Sequence, residues 1–169
     1  MHVLAEKILT MPLVAKLLFA LNLGALGFAL TMQFGFDVQP CILCLWQRVP
    51  YGVAAAATLT LALRKPAQRY AVWILAFCVV TYLTGMGLAV FHSGVERHLW
   101  EGTTGCAIQP IHGTTAEDLR QSLLQTITPR CDVIAWSLFG ITLTNMNVLL
   151  SLALAFFTTA ATVKTAQDK

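Results

Sequence analysis

Apolar residues in this chain run in long uncharged stretches instead of alternating with polar ones. From Leu17 to Phe36 there is no Asp, Glu, Lys or Arg. That is about the 20 residues a helix needs to cross a hydrocarbon core of roughly 30 Å. A second stretch, Leu45–Leu63, is interrupted chiefly by Gln47 and Arg48 and ends in Arg64-Lys65-Pro66. A third, Tyr70–Phe91, carries no charge, and neither does the run Val133–Val163, whose last part from Leu143 is the better helix candidate. The pattern predicts an all-α integral membrane protein: a single domain over residues 1–169, built as a four-transmembrane-helix bundle with spans near 17–36, 45–63, 70–91 and 143–163. A cleaved signal peptide is the rival reading of the first stretch, but its apolar part would be only about 7–15 residues. Gly24, Gly27, Gly85 and Gly87 suit close helix approach.

Between the third and fourth spans, His92–Asp132 is polar and mixed. Thr114-Thr115-Ala116-Glu117 has the spacing of a capping box. Leu119, Leu123, Leu124 and Ile127 then fall on one face. This predicts a short amphipathic helix, either on the membrane surface with its apolar side down or packed on the end of the bundle. Pro129 ends it just before Cys131.

Charge orients the bundle. The short loop Arg64–Arg69 holds three cations and no acid. The leading residues, with Glu6, Lys7 and Lys16, and the tail, with Lys164, Asp168 and Lys169, each add a net +1. The His92–Asp132 loop sets three arginines against five acids, a net −2. By the positive-inside rule both termini face the cytoplasm and both cysteine-bearing loops face outward. With 57% apolar and 11% charged residues, the composition is that of a membrane protein. The net charge of +3, without a basic run interleaved with aromatics, sets nucleic-acid binding aside.

Four of the five cysteines stand in polar or interfacial surroundings, which suits a compartment where disulfides persist. Cys41 and Cys44 form a Cys-x-x-Cys pair after Pro40, at the expected start of the second helix. Unpaired N–H groups and the helix dipole there favour a thiolate, which would make Cys44 a good leaving group and electron donor. Arg48, four residues beyond Cys44, shares its face. The bland alternative for Arg48 is a side chain snorkelling to lipid phosphate. Cys106 and Cys131 have 24 residues between them. Zinc sites usually bring two close ligand pairs together, so this spacing suits thiol–disulfide exchange better than metal binding. A soft-metal-binding membrane transport protein using Cys41 and Cys44 is the alternative function, and a non-enzymatic assembly factor with purely structural disulfides a third. His92 lies at the expected outer end of the third span and reads as a polar boundary residue, or as a hydrogen-bond donor opposite Arg48. Cys78 reads as a small packing residue.

Pro40-Cys41-Ile42-Leu43-Cys44 with Trp46, Gln47 and Arg48, Phe91-His92-Ser93-Gly94-Val95-Glu96 with Trp100, and Pro129-Arg130-Cys131-Asp132 with Trp136 together resemble the signature of the disulfide bond formation protein B (DsbB) family. The resemblance implies a relay that reoxidises a periplasmic thioredoxin-fold dithiol oxidase, DsbA, and delivers the electrons to a membrane quinone, ubiquinone or menaquinone. Carried over, Cys106 would accept the partner's thiolate and Cys131 would resolve it and exchange with Cys41. Cys44 would meet the quinone, with Arg48 and His92 as quinone neighbours. The energetics agree. DsbA is itself a strong oxidant at about −120 mV, and each 30 mV uphill costs about 1.4 kcal/mol, so a quinone is a better sink than another protein disulfide. Many relatives lead into the last helix with a proline and an aromatic residue, where this chain has Thr144 and Met146.

Overall fold

The computed structural model describes residues 11–64, 66–103, 106, 120 and 129–167. Among them the chain forms four long helices, α1 (Met11–Gly35), α2 (Ile42–Arg64), α3 (Gln68–Glu96) and α4 (Leu143–Gln167). Two two-residue strands, β1 (Ser137–Leu138) and β2 (Ile141–Thr142), pair antiparallel just before α4. The amphipathic helix expected from Thr114 lies outside the described residues.

Helices α1, α3 and α4 are each long and apolar enough to cross a membrane; α2 has 23 residues and carries Gln47, Arg48 and Pro50 in its first turns. Large apolar side chains such as Leu21, Phe28, Trp73, Phe77, Leu152 and Phe156 point outward. The buried face instead collects small and polar groups. In α4 the buried positions Thr144, Ser151, Thr158 and Thr165 recur every seven residues, a stripe that lets helices approach and bond across the interface. The core joins Val14 and Leu18 of α1, Tyr51, Ala54 and Leu61 of α2, Leu75, Cys78 and Tyr82 of α3 and Leu154 of α4. Cys78 is fully buried there. Asn22 donates to the Tyr82 hydroxyl at 2.7 Å, tying α1 to α3.

Of the four glycines expected at helix contacts, Gly85 alone is crowded. A Cβ there would stand 3.2 Å from Cβ of Pro50, whereas one at Gly24, Gly27 or Gly87 would meet nothing within 4 Å. Helix α3 runs five residues past its expected end at Phe91, because Ser93, Gly94 and Val95 continue the helix before the backbone turns at His98, whose φ is +56°. His92 is therefore inside the helix and 2% exposed, not at a polar boundary. The strand pair also departs from the all-helical expectation: Phe139 and Gly140 both have positive φ, the backbone of a tight two-residue hairpin turn.

Candidate functional site

The site forms where the starts of α2 and α4 meet the end of α3. Cys41 immediately precedes α2, and Cys44 is the third residue of the helix. The Cys44 backbone N–H points to Cys41 Sγ at 3.4 Å, as in an N-terminal cap where a side chain takes up an unpaired helix donor. The two sulfurs are 3.3 Å apart and unbonded; with Cys41 as the thiolate, the Cys44 thiol donates to it. His92 Nε2 stands 3.5 Å from Cys41 Sγ. These contacts outweigh burial and lower the Cys41 thiol from 9.0 to about 4, the Cys44 thiol having the largest effect. In this dithiol state the stabilising groups converge on Cys41, not on Cys44 as the helix-start argument suggested. The reason is positional: Cys41 sits where a capping side chain accepts, and Cys44 supplies the donors.

Cys106 and Cys131 are joined in a disulfide. They pack with Cys41, Leu43 and Val95 in one buried cluster, so the two cysteine pairs are neighbours although far apart in sequence. Trp100 stacks on Phe91, their ring centroids 6.0 Å apart, and its indole N–H donates to the Phe91 carbonyl at 2.8 Å, folding the chain after α3 back over the helix end.

Arg48 donates to Gln33 Oε1 at 2.6 Å and to the Ala29 carbonyl at 3.4 Å, both on α1. It lines the same cavity as Cys44, but its hydrogen bonds go to α1 and not to the thiol. Four residues bring Cys44 and Arg48 onto one face, yet the long guanidinium reaches the acceptors on the adjoining helix.

That cavity has a volume of about 350 Å³, within the range of small-molecule sites. Phe28, Ala29 and Met32 of α1 form an apolar wall, and Cys44, Arg48 and His92 supply the chemistry.

Several site residues escaped sequence reasoning. Gln47 Nε2 meets His92 Nδ1 at 2.8 Å. Asn147 Nδ2 donates to Gln47 Oε1 at 2.5 Å, and Tyr51 donates to Asn147 Oδ1. Glu96 accepts from Thr144 at 2.6 Å and Thr142 at 2.9 Å, so these threonines fasten the start of α4 to the end of α3. Here Thr144 anchors the segment that proline and an aromatic residue lead into in many relatives, and Met146 lines the cavity. The available signal was the line of polar residues Thr144, Asn147 and Ser151 in an otherwise apolar helix, since intramembrane polar groups need partners.

The family model "Disulfide bond formation protein DsbB" matches residues 12–161, nearly all of the chain and both cysteine pairs. The chain belongs to the DsbB family. Among similar curated proteins, uncharacterized protein RP370 of Rickettsia prowazekii is 27% identical over 142 residues, 83% of this chain and 81% of that protein. Disulfide bond formation protein B of Methylobacillus flagellatus is 26% identical over 82% of this chain and 85% of its own. The protein of the same name from Hahella chejuensis is 27% identical over 75% and 78%. No solved structure matches at comparable significance. DsbB membership makes this a thiol oxidoreductase of disulfide bond formation, and its three apolar helices make it a multi-pass membrane protein.

Proposed function

We propose that this DsbB-family protein is a single-domain, four-span thiol oxidase of the bacterial inner membrane. It reoxidises a periplasmic DsbA-like dithiol oxidase and passes the electrons through its two cysteine pairs to a membrane quinone. The observation that carries this reading is the packing of the Cys106–Cys131 disulfide against the Cys41/Cys44 dithiol, with Cys44 on the wall of a largely apolar cavity. In this arrangement α2 is the remaining span, its Arg48 held by α1, and both cysteine-bearing segments and the partner are periplasmic, with the termini cytoplasmic.

A partner thiolate attacks Cys106 and releases Cys131, which attacks Cys41 in the oxidised Cys41–Cys44 pair and releases Cys44. The partner's second thiolate displaces Cys106, and the partner leaves as a disulfide. Cys106 then attacks Cys131, re-forming Cys106–Cys131 and releasing Cys41. The result is a Cys41/Cys44 dithiol beside an intact loop disulfide, the combination of bonds described here. Bound quinone supplies a two-electron acceptor, so the net reaction is partner dithiol plus quinone giving partner disulfide plus quinol. The cavity fits such a group: its apolar wall suits a ring and isoprenoid tail, Arg48 offers donors for a ring oxygen, and His92 stands beside it on the cavity lining. Ubiquinone and menaquinone both meet that description.

A Cys131→Ser variant should trap the partner, because its free Cys106 thiolate attacks the disulfide of the oxidised partner and the resulting mixed disulfide has no second loop thiol to displace it. Purification from cells should yield a covalent complex whose partner is a thioredoxin-fold protein joined to Cys106. Recovery of the variant without any disulfide-linked partner would contradict the relay. A second reading has one observation in its favour: the sulfurs of Cys41 and Cys44 and a ring nitrogen of His92 lie within 4.8 Å of one another, close enough to hold a soft metal for transport. Stoichiometric metal in the purified protein, with no quinone reduction, would establish it in place of the oxidase.

A further inference from the structure

The polar chain behind the thiols sets the direction of a hydrogen bond that neither the relay nor the family match specifies. It begins deep between α2 and α4. Tyr51 donates to Asn147 Oδ1, and Ser151 donates to the same oxygen at 3.3 Å. With its oxygen so engaged, Asn147 turns its amide nitrogen to Gln47 Oε1. Gln47 in turn presents its own amide nitrogen to His92 Nδ1 at 2.8 Å. Thr144 also lies 3.4 Å from Nδ1, but its hydroxyl has a single proton and gives it to Glu96 Oε1 at 2.6 Å. Nδ1 is thus an acceptor.

A neutral imidazole carries one proton, and an accepting Nδ1 leaves it on the other nitrogen. That nitrogen is Nε2, 3.5 Å from Cys41 Sγ. We infer that Gln47, oriented by Asn147 and Tyr51, is a positioning residue that holds His92 as the Nε2–H tautomer, so that the imidazole donates to Cys41 instead of withdrawing its proton. His92 then favours Cys41 as a thiolate, the form in which it must be released by the loop pair and act as a nucleophile. The same proton occupies the nitrogen that a metal would need. The inference concerns the thiol pair of the proposed oxidase and rests on that reading for its functional meaning, but the tautomer can be measured without turnover.

The test uses the full chain, reduced at Cys41 and Cys44 and reconstituted in lipid nanodiscs with ¹⁵N-labelled histidine. The wild-type protein should show a protonated Nε2 and an unprotonated Nδ1 at His92. Asn147→Asp keeps an acceptor for Tyr51 but can no longer donate to Gln47. Gln47 should then turn its oxygen to His92 and move the ring proton to Nδ1, two side chains from the substitution. If the Asn147 variant does not fold, Gln47→Glu, whose side chain can only accept from the ring, should place the proton on Nδ1. A wild-type Nδ1–H tautomer, or an unchanged tautomer in Asn147→Asp, overturns the inference. Loss of quinone reduction with the Nε2–H tautomer intact would count against the oxidase and leave the inference standing.

Discussion

Cys41 draws its character from three donors that the fold gathers at one sulfur: the Cys44 thiol, the Cys44 backbone N–H and the His92 ring. Because its pKa is lowered to about 4, the thiolate persists as pH falls and is lost only as pH passes through that value. Alkylation of Cys41 in the reduced protein should therefore hold nearly constant between about pH 8 and pH 5, whereas an ordinary thiol loses about tenfold per pH unit over that range. Mass-spectrometric rates that fall steadily from pH 8 would show that the three donors do not act on Cys41. Arg48 differs in kind, since its partners are on α1. Arg48→His should raise the KM for quinone several-fold while leaving exchange with the thiol partner nearly unchanged, measured separately with and without quinone. At this scale the sequence exposed the thiols and Arg48 through spacing and cost. It could not reveal that His92 faces Cys41, because that contact joins residues 51 positions apart and depends on α3 continuing past Phe91.

Helices in this fold meet through small and polar groups, because lipid gives apolar side chains no reason to leave the outer surface. Helix α3 comes close to α2 where Gly85 faces Pro50. Gly85→Leu should destabilise the bundle by about 1–3 kcal/mol through overpacking, seen as a lower unfolding midpoint in detergent, while Gly87→Leu should have little effect. At the end of α3 Glu96 receives both Thr142 and Thr144. Thr144→Val should cost about 1 kcal/mol and loosen the start of α4, detectable as faster amide exchange over its first turn. The helices were legible in the sequence because uncharged runs of membrane length have few other uses. Their contacts were less so: four glycines looked equivalent, and only packing distinguished Gly85. The hairpin escaped because Phe139 gives no signal for the positive φ it adopts; Gly140 alone hints at a turn.

For the whole molecule, the apolar exterior places it in lipid, and the two cysteine pairs converge where the starts of α2 and α4 meet the end of α3. The stretch around Cys41 and Cys44 suggested redox or metal chemistry without deciding between them, because spacing carries no information about what lies behind the thiols. The structure adds the neighbouring Cys106–Cys131 disulfide and the cavity shared by Cys44, Arg48 and His92. The central claim is that electrons entering at the loop pair leave through Cys44 to a quinone. The most direct measurement follows quinone absorbance while purified protein in lipid reoxidises a reduced thioredoxin-fold partner. One quinone should be reduced for each partner disulfide formed, and none with Cys44→Ser. Partner oxidation without matching quinone loss, or full turnover in the Cys44 variant, would contradict it.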